Sequence, residues 1–146
     1  MTLTVPAPGT VIRYSYLWER EARTGQEEGL KDRPCAVALA VEQPDGDTYV
    51  LVVPITHTPP SDPRTAIELP ARVKQRLGLD DERSWIICNE ANRFLWPGPD
   101  LRPVSDAKGN RQLAYGSLPP RLFDAAKERL IDFIKEKQFS SVKRSE

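Results

Sequence analysis

The chain has 146 residues and a mass of 16.5 kDa, the size of one ordinary domain. A composition that is 39% hydrophobic and 29% charged excludes a disordered chain, a coiled coil and a collagen-like repeat. Its 21 basic and 21 acidic residues cancel, which argues against a nucleic-acid coat protein but leaves room for a nuclease with a local basic groove.

Fourteen prolines, about twice the usual share, demand many loops and short elements. Residues 10–18 alternate between two faces and are rich in β-branched and aromatic types, a strand with period two. Residues 19–33 are polar, charged and glycine-containing, and read as a long exposed loop. Two apolar runs, 35–43 and 48–55, flank Asp45-Gly46 and predict a central hairpin. Three prolines in 56–65 forbid regular structure there, and 66–69 form a short strand. Pro70 at a first helical position, Val73 and Leu77 four apart, and Gly78 as a stop predict a short helix. Residues 84–96 read as one or two strands, 107–110 as a turn and 119–139 as an amphipathic helix, with 139–146 a frayed tail. One mostly β domain is expected over 1–146, a compact barrel with a short internal helix and a C-terminal α-helix.

The start of the chain has no basic, apolar leader, and no run is long enough to span a membrane, so a cytoplasmic protein is expected. Cys35 and Cys88 lie in apolar runs and read as reduced core residues. A single histidine, His57, excludes a site with several histidine ligands, and neither a metal nor a cofactor is expected. The central hairpin places Arg33 at the start of one strand near Thr56 and His57 at the end of the other. Glu27 and Glu28, in the preceding loop, come within reach. A guanidinium, a hydroxyl, an imidazole and a carboxylate together suit phosphoryl chemistry, because the guanidinium grips phosphate oxygens while a base moves the proton. Each residue also has a plain structural reading: a loop arginine paired with Asp32, a turn-capping threonine, a solvated histidine. Trp18 is a core residue or a base-stacking platform, and Arg93 and Arg102 are groove residues or ordinary surface charges.

Pro8-Gly9-Thr10-Val11, an acidic loop, Arg33-Pro34-Cys35-Ala36-Val37 and Val52-Val53-Pro54-Ile55-Thr56 occur in this order. Together they resemble the MazF/PemK toxins of bacterial toxin–antitoxin modules. The resemblance implies an SH3-like barrel, a homodimer, an acidic antitoxin partner and metal-independent cleavage of single-stranded RNA to a cyclic phosphate. Carried over, Arg33 binds the scissile phosphate and can donate a proton, Thr56 orients the phosphate or the attacking hydroxyl, and Glu28 is the base, with Glu27 or His57 in its place. Arg93, Arg102 and Trp18 are then expected to contact RNA. The competing class is a non-catalytic SH3-like binding module of the CcdB kind, or an inactive relative, which needs no convergence of Arg33, Thr56 and Glu28.

Overall fold

A computed structural model describes residues 4–26, 29, 31–106 and 108–144. Strand β1 (Thr10–Tyr14) leads through helix α1 (Glu19–Arg23) to the hairpin β2 (Arg33–Glu42) and β3 (Thr48–Thr56). A 3-10 turn (Pro63–Thr65), β4 (Ala66–Glu68), α2 (Ala71–Leu77), β5 (Trp85–Ile87) and β6 (Glu90–Leu95) follow. Then come β7 (Leu101–Arg102), β8 (Val104–Ser105), β9 (Arg111–Gln112), β10 (Ala114–Ser117), α3 (Pro120–Lys135) and β11 (Ser140–Lys143). Among the described residues the protein is mostly β with three α-helices, as the pattern of short strands implies, and none of those helices is long and apolar enough to cross a membrane.

The main sheet runs β10-β1-β2-β3-β5-β4, with β7 added on β1 and β6 on β3. Its ladders are antiparallel except where β11 joins β6. The closed barrel expected from the strand count does not form. The first half of β3 pairs with β6 and its last two residues pair with β5, with Pro54 between them. Proline has no amide hydrogen to give to a ladder, so the strand changes partner where its donors lapse. The edge strands β4 and β10 do not pair with each other. Helix α2 follows β4 and packs on β10 so closely that a Cβ on Gly116 would lie 3.0 Å from Leu77.

Both faces of the sheet are buried along residues 35–38 of β2 and 52–56 of β3, which explains the apolar runs there. Val11, Ala36, Val53 and Ile55 face α2 and α3, meeting Val73, Leu77, Ala126 and Leu130. Ile12, Tyr14, Cys35, Val37, Val50 and Val52 point the other way onto Phe94, Trp85 and Trp96. Both cysteines are buried free thiols, and burial pushes the Cys88 thiol up to about 11.

Three further sequence expectations fail. The 56–65 segment is not wholly irregular, because Pro63–Thr65 forms a 3-10 turn that begins with the Asp62 side chain accepting from the Arg64 amide. The 19–33 segment is not loop throughout: Glu21 accepts a hydrogen bond from the Trp18 amide (3.1 Å), and Glu19 pairs with Arg23 one turn on, which together start a helix. Residues 140–144 are not frayed either. Ser140–Lys143 forms β11, parallel to β6, and Arg144 is 3% exposed. Its guanidinium donates to the Ser15 carbonyl (2.5 Å) and Asn92 Oδ1 (3.0 Å), and it pairs with Asp100 at 2.9 Å. A polar tail reads as solvated until the buried acceptors it meets are known. Removing one partner from such a buried ion pair costs about 3–5 kcal/mol. Arg144→Ala is therefore expected to lower the unfolding free energy by about 3 kcal/mol, measured by urea denaturation, whereas Lys143→Ala should change it by less than about 0.5 kcal/mol.

Candidate functional site

The open end of the β2–β3 hairpin faces a cleft of about 410 Å³. Arg33 enters from the start of β2 and Thr56 from the end of β3. Tyr16 and Trp18 come from the segment after β1, Arg20 and Glu21 from α1, and Lys31 from the approach to β2. Asn89 and Glu90 supply the β6 side, and the proline-rich stretch containing Thr58, Pro59, Pro60 and Ser61 forms a wall.

Asn92 makes the Tyr16–Trp18 side possible. Fully buried on β6, it accepts from the Leu17 amide (2.9 Å) and donates to the Leu17 carbonyl (2.7 Å), pairing with an irregular segment as a strand would. Trp18 is thereby held at the cleft, with the Arg20 and Arg33 guanidinium groups 4.9 and 5.0 Å from its ring centroid. Such stacking fixes a cation without neutralising it. Among the described residues the buried Arg33 Nε has no hydrogen-bond partner. Burial also lowers the Arg33 pKa. An unsatisfied buried donor costs about 1–3 kcal/mol and is relieved by an anion.

Glu90 is the carboxylate that the sequence reading missed. Its Oε2 accepts from the Tyr16 hydroxyl (2.9 Å) and from the Glu19 amide (3.0 Å). Burial outweighs these bonds and raises its pKa above the usual glutamate value. Tyr16 is raised as well, by burial first and then by the Glu90 charge. The signal was present as an acidic residue inside the apolar stretch 84–96, where an unpaired charge is costly.

Of the residues singled out from sequence, Arg33, Thr56 and Trp18 meet in the cleft. His57 turns out of it, with Nε2 2.8 Å from Asp80 Oδ2 and Nδ1 3.8 Å from Glu82. Arg93 lies over the Tyr49 ring beside Leu39 and Val41 in a separate groove. Arg102 donates to the Pro99 carbonyl and sits 3.6 Å from Asp32, which Arg13 also approaches. Glu27 and Glu28 lie outside the described residues. His57, Asp80 and Glu82 bring ligand atoms within 4.8 Å of one another, but the buried Lys74 ammonium already binds Asp80 Oδ1 at 2.6 Å. That hydrogen bond is the main cause of the lowered Asp80 pKa.

No family model matches the sequence, and no curated protein matches it significantly.

A carboxyl whose pKa is raised by folding favours the folded state below its unfolded pKa, and that contribution is lost as pH rises through the folded value. Glu90→Gln removes the charge and keeps an acceptor for Tyr16 and Glu19. The variant is expected to melt at a higher temperature than the natural protein at pH 7 and at the same temperature near pH 3, in paired calorimetric scans.

Proposed function

We propose that this protein is an endoribonuclease that cleaves single-stranded RNA without a metal, as a growth inhibitor of a toxin–antitoxin module. Its SH3-like, MazF/PemK-type ancestry, a homodimeric state and an acidic antitoxin partner belong to the same proposal. One observation carries it. Arg33 and Thr56, drawn from two motifs that the resemblance pairs, line one cleft together with an aromatic platform and a half-buried carboxyl group.

Each group has a task that its surroundings suit. Arg33, stacked on Trp18 with a buried unpaired N–H, binds the scissile phosphate and offsets the charge that builds on its oxygens. Thr56 accepts the Thr58 amide on its oxygen (3.2 Å) and so keeps its own hydrogen for a phosphate oxygen. Glu90 takes the proton from the ribose 2′-hydroxyl; its raised pKa brings it nearer to neutrality, where a base works best. The 2′-oxygen attacks phosphorus, the P–O5′ bond breaks, and a 2′,3′-cyclic phosphate remains. The departing 5′-oxygen takes up a proton, for which Arg33, its pKa lowered by burial, is the candidate acid. In this reading Glu90 takes the part that the resemblance gives to Glu28.

Incubation of the protein with mixed-sequence single-stranded RNA in EDTA tests the proposal. Cleavage to cyclic-phosphate ends is expected, with Arg33→Ala slower by about 10³-fold and Glu90→Gln by about 10²–10⁴-fold. The rate of the natural protein should rise with pH through a pKa above that of an ordinary glutamate, a rise that Glu90→Gln lacks. A folded, inhibitor-free protein that cuts no RNA would return the chain to the binding-module class or to an inactive relative.

A further inference from the structure

His57 is adjacent to the cleft in sequence yet points away from it, and its contacts form a continuous path into the core. Its Nε2 meets Asp80 Oδ2 at 2.8 Å. Asp80 Oδ1 accepts from Lys74 Nζ at 2.6 Å and from the Glu82 amide at 3.1 Å. Lys74 is 3% exposed, on α2, and its ammonium also donates to the Ser84 hydroxyl (2.7 Å) and to the Glu82 carbonyl. The far end of this path is therefore fixed by a buried cation with three acceptors.

At the near end, His57 is the central residue of a turn closed by the Thr56 hydroxyl. Thr56 Oγ1 accepts the Thr58 amide across it. This bond occupies an acceptor site of the hydroxyl and leaves its hydrogen directed elsewhere. The turn also launches the wall of the cleft, since Thr58, Pro59, Pro60 and Ser61 follow at once. The far side of that wall is tied separately: Arg129 of α3 donates to the Pro63 and Ala66 carbonyls, and Asp62 caps Arg64. Between those ties and Thr56, the side chain that anchors the wall to the body of the protein is His57, among the described residues.

The geometry points to His57 as a positioning residue. It pins the 56–58 turn to the Asp80–Lys74 pair, and so sets both the direction of the Thr56 hydroxyl and the place of the 58–61 wall. It acts through Thr56 and touches no reacting atom. This rests on the ribonuclease reading for its consequence in catalysis but not for its consequence in structure.

The test pairs two readouts on His57→Ala and His57→Gln. Glutamine keeps an N–H donor for Asp80; alanine keeps none. Hydrogen exchange at the Thr58 amide, which donates to Thr56 Oγ1 across the turn, is expected to quicken at least tenfold in His57→Ala and to return towards the natural rate in His57→Gln, with α3 amides unchanged in both. On RNA, His57→Ala should raise KM severalfold and leave kcat within about twofold, with His57→Gln restoring KM. Unchanged exchange at Thr58 in His57→Ala would overturn the proposal. So would a large fall in kcat with KM unchanged, which would put the imidazole into the chemistry. If the natural protein cuts no RNA, the ribonuclease reading fails by itself, and the exchange rates still decide whether His57 holds the turn.

Discussion

The buried guanidinium of Arg144 is the contact on which the arrangement of the cleft depends. It joins four distant parts of the chain: the Ser15 carbonyl after β1, Asn92 on β6, Asp100 before β7, and its own strand at the C-terminus. Its guanidinium also lies 5.4 Å from the Tyr14 ring centroid. A buried guanidinium is tolerable only when its donors are satisfied, so these partners must all be in place together. Asn92 turns that constraint to use, because the side chain that meets Arg144 also pairs with both backbone groups of Leu17. An irregular segment thus acquires the rigidity of a strand, and it carries Tyr16 and Trp18, one side of the cleft.

Burial then shapes the electrostatics. The same partial exclusion of water weakens the hold of Arg33 on its proton and strengthens that of Glu90. The guanidinium and the carboxyl group are thus shifted in opposite directions by the same burial. Trp18 helps by holding two cations through its ring face. The cost is borne by the fold. An unsatisfied Arg33 N–H and a desolvated carboxyl group are both unfavourable, and the tight packing around Tyr14, Phe94 and Val52 sustains them.

Lys74 is the second buried cation, and it works on the opposite wall. One Lys74–Asp80 pair secures the loop between α2 and β5, and through His57 it reaches the turn that bears Thr56. The two sides of the cleft are thus each anchored by a buried basic residue that is not itself in the cleft. Exposed pairs such as Arg64–Asp62 and Arg83–Glu68 hold local geometry and contribute little energy.

The sequence by itself determined the local elements and the first pair of site residues. The β2–β3 hairpin, α2 with its left-handed Gly78 cap, and α3 follow from apolar period, turn chemistry and helix stops. The meeting of Arg33 and Thr56 follows from hairpin register alone, because residues across an antiparallel pair are neighbours whatever else the fold does. What tertiary structure decided has long sequence separation. Glu90 reaches Tyr16 across 74 positions, and Arg144 reaches Ser15 across 129. No local pattern encodes such contacts, and a lone Arg or Glu reads as solvated unless its distant partner is known. His57 illustrates the same limit in reverse. Its position beside Thr56 suggested a group in the cleft, but side chains alternate across an extended strand, and the next residue faces the other way. Closure of the barrel was likewise undecidable from strand count, since it turned on whether β4 and β10 could meet with α2 packed against β10.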